Sequence, residues 1–226
     1  MKFAKLDNLN DLNKGVHKKW VYKDPDSFHL AHDYLQKINY SIQDINSISS
    51  DIKADNESIT FIVCCVAWIE EACAFFNSSF RKDVIQDFKF SNEEGLARAK
   101  KYFKAVRSFI LAHPLGTDRH EKFEFDGKYI CIDVMPTDCP TILLLSDHQG
   151  FFKSLGYEGM KNGCKECDFF LKTYSREFHN SKYSVYIGIH LEDILRYARL
   201  CLAKLHELDK YLSKLKKKDF EADNHE

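Results

Sequence analysis

The chain has 226 residues, 44% of them apolar and 14% aromatic, enough for one domain with a sizeable core. Its 33 basic and 34 acidic residues leave a formal net charge of −1, which excludes a global basic field for nucleic acid; any contact with phosphate has to come from a local patch. Met1-Lys2-Phe3-Ala4-Lys5-Leu6-Asp7 lacks the apolar stretch of a signal peptide, and the apolar run from Ile59 to Trp68 is short for a bilayer, so a soluble, cytoplasmic protein without membrane contact is expected.

Residues 1–24 are polar and mixed, with the aromatic cluster Trp20-Val21-Tyr22 expected to pack down onto the domain. Asp24-Pro25-Asp26-Ser27 is a helix start, with Ser27 or Asp26 as N-cap, and the spacing of Leu30, Tyr34, Leu35, Ile38, Ile42 and Ile45 predicts a helix from about Phe28 to Ile48. Ser58 opens a second helix to about Phe80. It is apolar nearly all round, as the central helix of a bundle is. Ser91-Asn92-Glu93-Glu94 caps a third, from about Glu93 to Ala112 or His113, where Pro114 disfavours helical geometry.

The pattern changes after Gly116. Asp126-Gly127 between Lys122–Phe125 and Lys128–Val134 is a hairpin signal. Thr141 to Leu145 is a third candidate strand, Lys165 to Ser175 a candidate short helix, and Ser184 to Ile189 either strand or loop. A leucine-rich stripe from Leu191 to Leu215 then predicts a long helix to about Lys218. Lys216-Lys217-Lys218 would favour its C-terminal dipole, and the last eight residues read as disordered. The expected fold is mainly α, a single domain over residues 1–226. Residues 25–118 and 190–218 form a helical bundle core, and residues 121–189 a small β-containing insertion, an α+β elaboration.

The segment Arg107-Ser108-Phe109-Ile110-Leu111-Ala112-His113 carries the chemistry. On an ideal helix its six-residue step separates Arg107 and His113 by about 240°. Two arrangements bring them together: a helix break at Pro114 that lets His113 swing back, or a two-fold axis that pairs each side chain with a second subunit. An Arg fork grips a phosphate and stabilises developing charge. A His that titrates near neutrality serves as general base on a 2′-hydroxyl or as general acid on a leaving 5′-oxygen.

This Arg-x(4–6)-His motif, with a polar residue after the Arg and the His at the end of a central helix, resembles the HEPN superfamily. The resemblance covers about residues 28–118 and the C-terminal helix. It implies a HEPN-like helical bundle and a homodimer with two Arg107–His113 pairs in one cleft. The implied activity is metal-independent endoribonuclease cleavage of RNA, without cofactor, by a toxin or antiviral defence effector. An antitoxin or regulatory protein is a possible partner. Family members commonly have Asn or Asp after the Arg, where this chain has Ser108. Some family ribonucleases use a Glu from the preceding helix; Glu70 is the matching candidate and Glu71 the alternative. Ser108, Arg119 and His120 would extend the phosphate-binding patch. Asp118 pairing with Arg119 in a solvated turn is the competing reading.

Cys164-Lys165-Glu166-Cys167 is half of a zinc site; Cys131, Cys139, His148 and His179 form no matching second pair, and two unrelated thiols are the simpler reading. Cys64, Cys65, Cys73 and Cys201 sit in apolar helical patterns as buried thiols. His29 and His32 lie three apart without a third ligand at zinc spacing, so no metal is assigned. The alternative to a nuclease is a non-catalytic helical binding or adaptor module that dimerises or binds a partner protein or nucleotide. A zinc-stabilised α+β domain ranks third.

Overall fold

The computed structural model describes residues 3–10, 12, 14–48, 55–112, 129–133, 168–174 and 184–220. The protein is mainly helical, with helices α1 (Pro25–Ser47), α2 (Asn56–Ser79), α3 (Lys82–Ile85), α4 (Glu93–Arg107) and α5 (Leu191–Lys214). A π-helical segment (Ser108–Ala112) continues α4. Strands β1 (Tyr129–Asp133), β2 (Phe169–Tyr174) and β3 (Ser184–Ile189) form an antiparallel sheet in the order β1-β2-β3. The chain forms two compact units. The sheet unit comprises Met1–Ala4, Ile48–Cys64 and Ala97–Tyr197; the bundle unit comprises Lys5–Ser47, Cys65–Leu96 and Ala198–Glu226. Helices α2, α4 and α5 each contribute residues to both.

Helices α1 and α2 start earlier than their apolar spacing suggests, because their caps lie upstream. For α1 the cap is Asp24, not Ser27 or Asp26: the Ser27 N–H donates to Asp24 Oδ1 at 2.6 Å and the Ser27 hydroxyl to Asp24 Oδ2 at 2.9 Å. Pro25 then takes the first helical position, where its missing N–H costs nothing. Asp55 does the same for α2, accepting the Ser58 N–H at 2.6 Å, and Asn92 for α4, accepting the Gly95 N–H at 3.1 Å. The Ser27 N–H, then its hydroxyl, holds the Asp24 carboxyl below the usual range, and Ser58 does the same for Asp55. A lowered folded pKa means that both caps contribute fully above about pH 4 and lose their contribution as pH falls through the lowered values. NMR titration should place both carboxyls below free aspartate, with helicity falling in parallel; titration at the free value would rule out the caps.

Helix α2 is not buried all round. Ile59, Ile62, Val63, Cys65, Val66, Ile69, Ala72 and Phe76 are buried, whereas Phe61 is 40% exposed and Glu71 and Ala74 face solvent. The helix runs past Glu70 and Glu71 to Ser79, as the apolar spacing predicts. It has 24 residues and a window of mean hydropathy 1.9, 44% of it buried, which is long and apolar enough to cross a membrane by length and composition. The run Ile59 to Trp68 therefore understates it.

In the bundle unit, Tyr34 of α1 stacks on Phe75 of α2 at 4.6 Å, and the Lys37 ammonium lies 3.6 Å from the Trp68 ring centroid. From α5, Cys201, Leu202, Leu205, Leu208 and Leu212 are buried. The stripe thus packs inside the protein itself. Cys65 and Cys201 are buried, and Cys64 and Cys73 half-buried.

The N-terminal segment is tied down by side chains remote in sequence. Asn46 of α1 accepts the Leu6 N–H at 2.9 Å and donates to the Leu6 carbonyl at 2.8 Å, and Asn39 accepts the Leu9 N–H at 2.9 Å. Val21 and Tyr22 are buried, as expected of the aromatic cluster. The C-terminal end of α5 is capped by Lys18. Its ammonium donates to the carbonyls of Leu212, Ser213 and Leu215 at 2.9, 2.8 and 2.9 Å. All three ammonium donors are used where the helix dipole favours a cation. Lys18→Met should cost about 1–2 kcal/mol in urea unfolding; a loss near zero would show that water replaces the cap.

Helix α5 ends at Lys214. Asp219 and Phe220, expected to be disordered, belong to a 3-10 turn (Lys217–Phe220), and Phe220 lies 5.5 Å from the Trp20 ring.

In the sheet unit, Phe169–Tyr174 is strand β2, not part of a helix. Its aromatic and β-branched residues suit a strand, and Phe169 and Leu171, two apart, are buried. Pairing Phe169↔Ile189 and Ile132↔Leu171 sets the register. Asp168, just before β2, accepts the Leu191 N–H at 2.9 Å and so ties the sheet to the start of α5. The Asp126-Gly127 turn and Thr141 to Leu145 lie outside the described residues.

Candidate functional site

Arg107 is the last residue of α4, and Ser108 the first of the π segment. The helix forms because Ala99, Tyr102, Phe103, Ala105 and Val106 are buried, and the buried face continues through Ser108, Phe109 and Ile110. Arg107 sits half-buried at the edge of this face, its guanidinium carbon 6.0 Å from the ring centroid of Phe103, one turn earlier. Phe103 in turn stacks on Tyr197 of α5 at 5.1 Å. Strand β1 lies against the π segment.

The π winding alters the local geometry. Its i→i+5 bonds turn the chain less per residue than an α-helix does, and such bulges occur frequently at functional sites. The ideal-helix separation of Arg107 and His113 therefore does not apply to this segment. His113, Pro114, Arg119 and His120 lie outside the described residues.

Glu70 is half-buried on α2, and Glu71 is exposed. Glu70 belongs to the bundle unit, whereas Arg107 and Ser108 belong to the sheet unit. Glu70 lies within electrostatic reach of Cys73, whose thiol is held well above the usual range first by its hydrogen bond with Cys201, then by burial, with Glu70 adding to the effect.

One feature beyond the motif emerges from α4. Between Gly95 and Thr117 the chain carries no carboxylate, yet it has Arg98, Lys100, Lys101, Lys104 and Arg107. Lys101 and Lys104 are exposed, and Lys100 and Arg107 half-buried. Lys100, Lys104 and Arg107 follow at four- and three-residue steps, so they share a face. Like charges at these steps cost a helix about 0.2–0.5 kcal/mol per pair. The signal is present in the sequence as a local charge bias hidden by a neutral total.

Among the described residues, no three His, Cys, Asp or Glu side chains gather to hold a metal ion. Cys139, Cys164, Cys167, His148 and His179 lie outside the described residues. Comparison with family models, curated proteins and solved structures gives no match.

Proposed function

We propose that the protein is an endoribonuclease of HEPN-like type, acting in the cytoplasm as a toxin or defence effector and cleaving RNA by attack of the 2′-hydroxyl on the adjacent phosphate. The observation that carries the reading is the position of Arg107. It ends a basic stretch of α4 at the junction of α and π winding, its guanidinium against Phe103. In this reading Lys100, Lys101 and Lys104 draw the RNA backbone onto α4. Arg107 binds the scissile phosphate with help from Ser108, and His113 moves the proton. A homodimer would present two such sites, and Glu70 remains the candidate third member. The products are a 2′,3′-cyclic phosphate and a 5′-hydroxyl, because the 2′-oxygen displaces the 5′-oxygen directly.

The test uses purified wild type, Arg107→Ala and His113→Ala with total RNA in EDTA. Cleavage by wild type and its loss in both variants, with circular dichroism unchanged, supports the proposal. A wild type that leaves RNA intact in EDTA, or equal cleavage by all three proteins, refutes it.

A further inference from the structure

A second feature lies in the bundle unit and does not rest on Arg107. A cleft of about 800 Å³ opens between the segment of residues 19–29 and the segment of residues 81–83. That volume falls within the roughly 300–1,000 Å³ of small-molecule sites. Its walls are laced together by backbone bonds, the Lys23 N–H to the Ser79 carbonyl at 3.1 Å and the Arg81 N–H to the Val21 carbonyl at 3.0 Å. Tyr22 is buried beneath, its hydroxyl donating to the Val16 carbonyl at 2.7 Å and its ring against Phe28 and Phe80 at 5.4 and 4.7 Å. The shape is therefore set before any ligand arrives, which removes much of the ordering cost of binding.

Cations and aromatic rings interleave along the lining: Lys19, Trp20, Lys23, Phe28, Arg81 and Lys82. Two carboxylates also line the cleft, and each is engaged by the protein. Asp24 accepts both donors of Ser27, and Asp83 accepts the Arg81 guanidinium at 3.2 and 2.5 Å. The remaining cationic side chains, Lys19, Lys23 and Lys82, are exposed. Lys19 lies 5.4 Å from the Phe28 ring centroid, and Lys23 gives one donor to the Ser78 carbonyl at 2.9 Å. Cations alone would suit any anion. An aromatic wall beside them suits an anion that carries a flat ring.

We propose that this cleft binds a nucleoside monophosphate unit, with the phosphate among Lys19, Lys23 and Lys82 and the base against Trp20. The unit is either a free mononucleotide or the phosphorylated 5′ end of an RNA strand; the chemistry recognised is the same.

Calorimetric titration of the full chain tests the assignment with five probes: AMP, inorganic phosphate, hexaglutamate, and a pentauridylate with and without its 5′-phosphate. The oligonucleotides are titrated into Arg107→Ala, so that cleavage cannot consume them and failure of the nuclease reading stays separate. AMP should bind at least tenfold tighter than phosphate or hexaglutamate, and Lys19→Gln combined with Lys82→Gln should weaken AMP at least tenfold. AMP should also quench tryptophan emission in the wild type but not in Trp20→Phe, a substitution that keeps a ring beside Phe220. A 5′-phosphorylated pentauridylate that binds tenfold tighter than AMP assigns the cleft to RNA ends, and affinity equal to that of AMP assigns it to the free nucleotide. The proposal is overturned if AMP binds no tighter than phosphate or hexaglutamate, or if the lysine variant keeps full affinity. Quenching that persists in Trp20→Phe overturns it equally.

Discussion

Alanine in place of Asp209 is expected to lower the unfolding free energy by about 2–6 kcal/mol, because two buried N–H groups lose their acceptor at about 1–3 kcal/mol each. Asp209 is 7% exposed, and its Oδ1 accepts the Gly15 and Val16 N–H groups, both at 2.8 Å. Gly15 and Val16 are themselves buried, so water is poorly placed to substitute. Asp209→Asn retains an acceptor oxygen and should cost less than half as much. Gly15 is required by the same contact. A Cβ there would stand 2.1 Å from the Asp209 carbonyl oxygen and 2.8 Å from Leu212 Cβ. Gly15→Ala should therefore cost about 1–3 kcal/mol or more, as overpacking does. Since both changes open one junction, the double variant should lose less than the sum of the singles. Urea unfolding measures all four proteins. A loss below about 1 kcal/mol for Asp209→Ala would mean that the segment rearranges to find other acceptors.

On the proposed ribonuclease reading, Arg107→Ala is expected to lower the rate of RNA cleavage by about 10²–10³-fold, the usual consequence of deleting one charge-stabilising donor. Lysine should not restore it, because an ammonium lacks the planar fork that grips two phosphate oxygens. Lys104→Gln should behave differently, raising KM and flattening the dependence on salt while leaving kcat near the wild-type value. For a single strand, one phosphate fewer neutralised changes the log–log salt slope by about 0.7. A fall in kcat for Lys104→Gln with an unchanged salt slope would move that residue from backbone binding into the chemistry. An Arg107→Ala protein that retains full kcat would remove Arg107 from it.

The parts of this protein legible in the sequence are those with a local period. Helices α1, α2, α4 and α5 follow from apolar spacing, because a helix that packs on one face must repeat its side chains at that step. The first turns of α1 and α2 lie two or three residues upstream of that spacing, because Asp24 and Asp55 act from outside the apolar pattern. Strand β2 is not legible, because Phe169–Tyr174 is too short to separate a twofold from a 3.6-fold repeat. The π winding at Ser108 leaves no sequence period at all. The contacts of Asn39, Asn46, Lys18 and Asp209 have no local signal either, since each joins residues far apart in the chain. For the candidate site, a helix running to about Ala112 is readable from Pro114 and the preceding stripe, whereas the change of winding just after Arg107 is not. The basic face of α4 is readable too, but only by counting charge over a short window rather than the whole chain.

The attachment of the N-terminal segment to α5 has a consequence for synthesis. Gly15, Val16 and Lys18 bond to residues 193 to 197 positions later. At about 5–20 residues per second, a ribosome takes roughly 10–40 s to supply those partners. Throughout that interval the Gly15 and Val16 N–H groups, buried in the finished protein, have no Asp209 carboxylate to bond. The bundle unit is therefore completed only by its last helix, and any truncation before α5 should yield a chain that chaperones retain rather than a smaller working protein.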